Sequence, residues 1–86
     1  MNKKDCLIAV FDCSRELPVR DLLRQARITS RKLVLVSRCD NLQAGITIVR
    51  AIASENMEFP IRHYHEVDPA GVVELESCRQ YEVLNL

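Results

Sequence analysis

Residues 6–11 read Cys-Leu-Ile-Ala-Val-Phe, and this unbroken apolar run ends at Asp12. A second short run, Leu-Val-Leu-Val, occupies residues 33–36. Runs that are apolar at every position are typical of strands covered on both faces, as they are inside a parallel sheet. The sequence therefore predicts two central parallel strands over residues 6–11 and 33–36.

Helical periodicity follows each of these two strands. Behind Pro18, a residue suited to a first turn, apolar residues recur at helical spacing and predict a helix over residues 17–27. These residues are Val19, Leu22, Leu23 and Ala26. A second helix is predicted after residue 40 from another apolar stripe at the same spacing. That stripe consists of Leu42, Ile46, Val49, Ile52, Ala53 and Met57.

A third strand and a third helix are predicted in the last third of the chain. Apolar and polar residues alternate over residues 61–67 after Pro60, as in a strand near a sheet edge. Asp68-Pro69 combines a preferred N-cap residue with a proline suited to the first turn, so a third helix is predicted to open there. Residues 81–86 fit either an extension of that helix or a short additional strand.

These three strand-then-helix units predict one small α/β domain over residues 1–86, with three layers and a mainly parallel sheet of the Rossmann or flavodoxin-like kind. A chain of 86 residues has room for one hydrophobic core. Its 48% apolar and 28% charged residues are the balance of a folded globular protein. Since no apolar stretch approaches the roughly 20 residues of a bilayer span, we expect a cytoplasmic protein without a signal peptide or membrane contact.

Charge is distributed unevenly along the chain although the net charge is zero. Residues 1–38 contain nine Lys or Arg and four acids, whereas residues 39–86 contain three and eight. Such asymmetry suits a basic surface that meets a polyanion or an acidic protein, or two surfaces that attract each other in a dimer. Net neutrality argues against a dedicated DNA-binding protein.

The cysteines of the chain are Cys6, Cys13, Cys39 and Cys78. No Cys-x-x-Cys pair occurs among them, so neither a zinc site nor a dithiol motif is predicted. Cys6 lies inside an apolar strand, which favours buried free thiols, with disulfides as the alternative.

Cys13 stands between the first strand and the first helix, where thiol phosphatases hold their nucleophile. Those enzymes need an arginine six positions later, where this chain has Val19, so no catalytic residue is predicted and an enzyme is not favoured.

Three aspartates each follow a predicted strand and precede a predicted helix, at intervals of 28 residues. Right-handed crossovers would place Asp12, Asp40 and Asp68 along the carboxyl edge of one sheet, where open α/β folds hold ligands. The candidate ligand-binding residues are therefore Asp12, Cys13, Ser14, Asp40 and Asp68. Three carboxylates together would suit Mg²⁺, the one cofactor that the sequence suggests. The favoured alternative is local: Asp40 and Asp68 cap helices, and Asp12 orders the first turn.

Other familiar constellations are missing or incomplete in the sequence. With glycine only at Gly45 and Gly71, the chain contains neither a phosphate-binding P-loop nor a dinucleotide fingerprint. His63 and His65 are predicted to point to the same face of their strand. No third histidine or nearby cysteine completes a ligand set, so no metal site is predicted.

Arginines at spacings of four, three and four residues form a basic stripe along the first predicted helix. They are Arg20, Arg24, Arg27 and Arg31. The stripe suits contact with phosphates or acidic side chains, and it suits a solvated helix face equally well. Because the aromatic residues are too dispersed for a base-stacking platform, nucleic acid is not the expected partner.

Three segments resemble the second half of a Ras-like GTPase domain. Residues 7–14 resemble the strand that ends in an Asp-Ala-Ser-like turn, and residues 32–42 resemble the strand leading to the guanine-recognition motif Asn/Thr-Lys-x-Asp. That motif stands here as Ser-Arg-Cys-Asp at residues 37–40. Residues 60–75, ending Gly-Val-Val-Glu-Leu, are similar to the family's last strand and helix start. The resemblance implies an α/β fold and a guanine contact at Asp40, and it implies no GTP hydrolysis because the sequence has no counterpart of the phosphate loop.

Together these features favour a non-catalytic binding or regulatory module that associates with itself or with a larger protein. The alternative is a small phosphate- or nucleotide-handling protein that uses the strand ends. Its candidate contacts are Asp12, Cys13, Asp40 and Asp68. A third hypothesis is binding of an anionic polymer by the arginine stripe.

Overall fold

The computed structural model describes residues 3–55 and 59–86, in which strands and helices alternate along the chain. The strands are β1 (Cys6–Phe11), β2 (Leu33–Ser37), β3 (Ile61–His65) and β4 (Tyr81–Asn85). The helices are α1 (Val19–Thr29), α2 (Leu42–Glu55) and α3 (Pro69–Leu75). The three predicted strand-then-helix units are confirmed, and residues 81–85 form a strand. Met57, predicted to belong to the second helix, lies outside the described residues.

The described strands form one parallel sheet in the order β3-β2-β1-β4. In the register of this sheet, Leu7 of β1 stands between Leu33 of β2 and Glu82 of β4. This is the order of the first four strands in a doubly wound nucleotide-binding sheet, whereas a flavodoxin-like order would place β1 between β2 and β3. Because all strands run in the same direction, the segments after β1, β2 and β3 leave the sheet at one carboxyl edge.

Helices cover both faces of the sheet, which confirms the three-layer α/β prediction. On one face, strand residues pack against α1 and α2; they are Leu7, Ala9, Phe11, Leu33 and Leu35. On the other face, strand residues pack around Val72 of α3; they are Cys6, Ile8, Val10, Val34 and Val36. Since β1 and β2 are buried on both sides, every one of their positions is apolar until Ser37 ends β2. Over the part of the chain described, the helices lack the combination of length and apolar character that crossing a bilayer requires.

Two helix predictions need correction. Helix α1 begins after Pro18, later than predicted, because the residue before a proline disfavours helical backbone angles. In α2 the inward stripe is rotated from the predicted one: Leu42 is 49% exposed and Ala53 is exposed. The side chains of α2 that reach the core are Ala44, Ile48, Val49 and Ile52. The glycine at position 45 allows this rotation, because the backbone there lies directly against β2.

All four cysteines lie in the described residues and are paired, so the prediction of free thiols is wrong. Disulfides join Cys6 to Cys78 and Cys13 to Cys39, with Cα atoms 6.5 Å and 5.3 Å apart. Both distances fall within the range that a disulfide bridges. The strand order brings the partners together, because β1 lies between β2 and β4.

Candidate functional site

An open cleft of about 520 Å³ lies at the carboxyl edge, between the segments that follow β1 and β2. Its walls consist of Asp12, Cys13, Ser14, Arg38, Cys39, Asp40, Asn41 and Ala44. The cleft exists because β1 and β2 are adjacent and parallel, so both segments leave the sheet side by side. Of the candidate residues, Asp12, Cys13, Ser14 and Asp40 line this cleft. Asp68 does not line it.

The carboxylate of Asp12 organises the turn after β1. Its Oδ1 accepts hydrogen bonds from the backbone N–H of Ser14 at 2.9 Å and from the Ser14 hydroxyl at 2.5 Å. Arg15 Nε lies 4.0 Å from Oδ2. These hydrogen bonds, with a smaller contribution from the charge of Arg15, hold the pKa of Asp12 below its usual value. Asp12 is therefore ionised near neutral pH and orders the turn, as the local interpretation predicted.

The predicted caps at Asp40 and Asp68 are not made by those side chains. At the start of α2, the side-chain Oδ1 of Asn41 accepts a hydrogen bond from the backbone N–H of Gln43 at 2.8 Å, the geometry of an N-cap. Asp40 is one residue too early and is exposed. Asp68 occupies the N-cap position of α3, but its side chain makes no capping hydrogen bond. That side chain is 86% exposed and pairs with Arg38, whose Nη2 lies 3.5 Å from Oδ1.

The cleft offers one cation and two acids to a ligand. Arg38 is the basic residue of its lining, and Asp12 and Asp40 are the acidic ones. Within residues 3–55 and 59–86, no group of three or more His, Cys, Asp or Glu side chains is arranged to hold a metal ion. The lining suits a small polar ligand that presents an anionic group to Arg38 and N–H donors to Asp40.

A disulfide joins the two walls of the cleft. Cys13 belongs to one wall and is half-buried, whereas Cys39 belongs to the other and is only 5% exposed. In this bonded form Cys13 has no thiolate, so it does not act as a nucleophile. The structure therefore has no free thiol at the position where thiol phosphatases hold their nucleophile.

A second polar cluster, below the start of α2, was not predicted as a unit. The Oγ of Ser37 lies 2.7 Å from His63 Nε2 and 2.9 Å from His65 Nδ1. The two imidazoles share a face of β3, as predicted, and Ser37 stands beside His65 in the register of the sheet. A hydroxyl carries one hydrogen, so with neutral rings Ser37 donates to one imidazole and accepts from the other. The sequence clue was a serine that ends an apolar strand next to an alternating His-x-His strand.

This Ser37 cluster is closed to substrates. Ser37 is fully buried, and a Cβ atom placed on Gly45 would lie 2.7 Å from its Oγ. Helix α2 therefore covers the hydroxyl at van der Waals contact. Burial lowers the pKa of His63, and the neighbouring charge of His65 lowers it further. The distance between Ser37 and His63 resembles that between a nucleophile and its base, but the hydroxyl is inaccessible. The cluster therefore acts as a polar contact between β2 and β3.

The basic stripe divides into two parts. Arg20, Arg24 and Arg27 line a groove of about 450 Å³ between α1 and the end of α2, together with Leu23 and Glu55. Arg31 lies beyond Thr29, where α1 ends, and lines a second hollow at the opposite edge of the sheet from the cleft, which Arg27 also lines. The helical stripe is therefore shorter than predicted.

Comparison with protein-family models, with curated proteins and with solved structures found no match to this chain. The resemblance to Ras-like GTPases consequently stays a prediction.

Proposed function

We propose that this chain is a non-catalytic binding module that associates with charged protein surfaces, including those of other copies of itself. The observation that carries the proposal is the separation of charge between the two outer layers of the fold. Exposed arginines lie on α1, and exposed acids lie on and beside α3. Because α1 and α3 pack on opposite faces of the sheet, the positive and negative surfaces point away from each other.

The acidic surface comes from a segment without any compensating base. Residues 66–78 contain four acids and no Lys or Arg. Asp68 pairs with Arg38, and Glu76 pairs with Lys32, so the charges of these two acids are neutralised by bases outside residues 66–78. Glu66 and Glu74 are exposed and form no ion pair with any described residue. The adjoining Leu75 is 64% exposed and adds apolar area to this surface.

Opposite placement of the two charged surfaces favours head-to-tail association. In a two-fold dimer the same patch meets itself, so arginines would face arginines. In a head-to-tail contact, the α1 arginines of one copy meet the α3 acids of the next, which leaves one unused surface at each end. We therefore propose a salt-sensitive series of oligomers that lengthens with concentration.

Sedimentation velocity over a range of concentration and salt tests this proposal. Oligomers at low salt should dissociate near 1 M salt, where the Debye length falls to about 3 Å. The double variant Arg20→Gln/Arg24→Gln should lose the oligomers, whereas Arg50→Gln, at an exposed position of α2 outside the groove, should keep them. A monomer at every salt concentration, or an unchanged distribution in the double variant, would refute self-association.

A mixing experiment separates head-to-tail contact from other geometries. The variant Arg20→Gln/Arg24→Gln retains the acidic surface, and Glu66→Gln/Glu74→Gln retains the basic one. Each variant alone should be monomeric, and their equimolar mixture should stop at a one-to-one dimer because only one complementary contact remains. Long oligomers in the mixture, or no dimer, would contradict the geometry.

A second candidate function is the binding of a small phosphate-containing or nucleotide ligand in the cleft. The observation that favours it is that Arg38 and Asp40 line the same cleft at the carboxyl edge, where α/β sheets hold ligands. The resemblance suggests a guanine contact at Asp40, so GDP should raise the melting temperature more than ADP does. A ligand at about 100 times its dissociation constant adds about 2.7 kcal/mol of stability.

Variants of the cleft distinguish this binding from a general effect of anions. Asp40→Asn and Arg38→Gln should abolish the shift in melting temperature, and Asp21→Asn, an exposed acid on α1, should preserve it. Identical melting temperatures with and without nucleotide and Mg²⁺ would exclude the second function. A cytoplasmic location is part of both proposals and is tested by fractionation of cells that express the tagged chain.

A further inference from the structure

We propose that the Cys13–Cys39 disulfide is a reversible thiol-exchange site, which a dithiol reductant opens while the Cys6–Cys78 disulfide stays closed. The inference concerns the covalent state of the cleft and does not depend on the binding functions proposed above. It rests on three observations: the position of Cys13 in the wall of the open cleft, the few polar contacts of the loop that carries it, and the contrast with the backbone contacts around the second disulfide.

Access to a sulfur atom is the first requirement of thiol–disulfide exchange. Cys13 is half-buried and lines the open cleft, so a thiol can approach its Sγ from solvent. Cys39 is buried against the core and offers no comparable approach. The exchange therefore begins at Cys13.

The loop that carries Cys13 has few polar attachments to the rest of the fold, and its other contacts are the packing of Cys13 and Leu17 against the core. Among the described residues, the hydrogen bonds and ion pairs of residues 13–17 stay within the loop and its flanks, such as Ser14 and Arg15 to Asp12 and the Val19 N–H to Leu17. No hydrogen bond or ion pair to a described residue ties residues 13–17 to β2, to β3 or to α2. Opening the Cys13–Cys39 bond therefore breaks no other polar contact of the fold.

The second disulfide lies in a more strongly attached region. Cys6 is fully buried in the central strand β1. The backbone around Cys78 is tied on both sides, because the Cys78 N–H donates to the Val73 carbonyl at 3.0 Å and the Arg79 N–H donates to the Asp5 carboxylate at 2.8 Å. Cys78 is half-buried, as Cys13 is, but it does not line the open cleft, and these contacts hold its backbone in place. We therefore expect Cys6–Cys78 to open less readily than Cys13–Cys39.

The exchange proceeds in two balanced steps. A thiolate of the dithiol attacks Cys13 Sγ and forms a mixed disulfide, while the electron pair of the broken Sγ–Sγ bond leaves with Cys39 Sγ, which takes a proton from water. Cys39 is the leaving sulfur because the attack falls on Cys13. The second thiol of the dithiol then attacks the mixed disulfide. This step releases the Cys13 thiolate, and the reductant departs as its own disulfide.

Thiol trapping across a series of dithiothreitol concentrations tests the proposal on the native chain. Free thiols are blocked with N-ethylmaleimide, and the modified cysteines are identified by peptide mass analysis. Cys13 and Cys39 should become modified at a dithiothreitol concentration about tenfold lower than Cys6 and Cys78. The far-UV circular dichroism should not change at that concentration, and oxidised glutathione should restore the bond.

Two outcomes would overturn the proposal. One is simultaneous modification of all four cysteines with loss of circular dichroism, and the other is earlier opening of Cys6–Cys78. Single variants check the point of attack without reduction: the free Cys13 in Cys39→Ser should react with maleimide at least about tenfold faster than the free Cys39 in Cys13→Ser. Equal rates would contradict attack at Cys13, and the trapping series on the unmodified chain remains decisive should either variant fail to fold.

Discussion

The Nζ of Lys32 donates a hydrogen bond of 2.7 Å to the carboxylate of Glu76, whose side chain is only 4% exposed. The same carboxylate accepts hydrogen bonds from the Tyr64 hydroxyl and from Arg62 Nε. Burial alone would raise the pKa of Glu76, but the donors from Lys32, Tyr64 and Arg62 outweigh it and hold the pKa below its usual value. These contacts join the end of α3 to β3 and to the residue that precedes β2.

Replacing Glu76 with Gln should lower the free energy of unfolding by about 2 to 3 kcal/mol, since Lys32 and Tyr64 then lose a charged acceptor. Urea unfolding at pH 7 measures the loss. Glu16→Gln, at an exposed position in the loop after β1, should change stability by less than about 0.5 kcal/mol.

The pH dependence of the Glu76 contact follows from the direction of its pKa shift. Because the folded pKa lies below the usual 4.5, its stabilisation is present above that value and is lost as the pH falls through the folded pKa. The native chain should therefore lose more stability than Glu76→Gln on acidification below pH 4.5. Parallel acid profiles for the two proteins would show that the carboxylate is not stabilised as described.

The half-buried imidazole of His63 should make stability fall with decreasing pH in a higher pH window. Its folded pKa lies below the usual 6.5, so the unfolded chain binds a proton first and stability decreases as the pH drops below that value. His63→Gln should flatten the stability profile between neutral pH and about pH 5, where the carboxylates remain ionised. The measurement compares the slopes of stability against pH rather than the absolute stabilities. An equally steep decline of stability in the variant would assign the pH dependence to another group.

Gly45 is the position where α2 touches β2, and an added methyl group should not fit. In Gly45→Ala the new Cβ would lie 2.7 Å from Ser37 Oγ and 2.9 Å from Ser37 Cβ, which should cost about 1 to 3 kcal/mol of stability. Gly71→Ala is the matched control inside α3. Among the described residues, its Cβ would meet only Val67 Cγ1 at 3.3 Å, so the gain in helix propensity of up to about 1 kcal/mol should make it neutral or stabilising. Thermal unfolding of both variants decides this, and a stabilised Gly45→Ala would show that α2 lies further from the sheet.

Neighbouring residues at the start of α2 should differ in their effect on stability. Asn41→Ala removes the hydrogen bond to the Gln43 N–H and should cost about 1 kcal/mol, as other N-cap replacements do. Asp40→Ala removes an exposed side chain and should cost less than about 0.5 kcal/mol. Chemical denaturation compares the two, and a larger loss at Asp40 would restore the interpretation that Asp40 caps the helix.

The sequence was sufficient to predict the layers but not the contacts between distant segments. Strands 6–11 and 33–36 were predictable because full burial on two faces requires an apolar residue at every position. The pairing of Cys13 with Cys39, and the contact between Ser37 and His63, depend on which strands are neighbours, and the apolar pattern carries no such information. The cap at Asn41 was missed for a local reason, because Asp40 and Asn41 are both preferred N-cap residues and only the start of the helix distinguishes them.

The side-by-side position of β1 and β4 has a consequence during synthesis. Strand β1 finds its last neighbour in the sheet only when residues 81–85 have also emerged from the ribosome. Until then one edge of an entirely apolar segment lacks its hydrogen-bonding partner, so the nascent chain exposes a surface that invites aggregation or chaperone capture. Synthesis of β4, rather than completion of α1 or α2, is therefore the event that permits the native sheet to close.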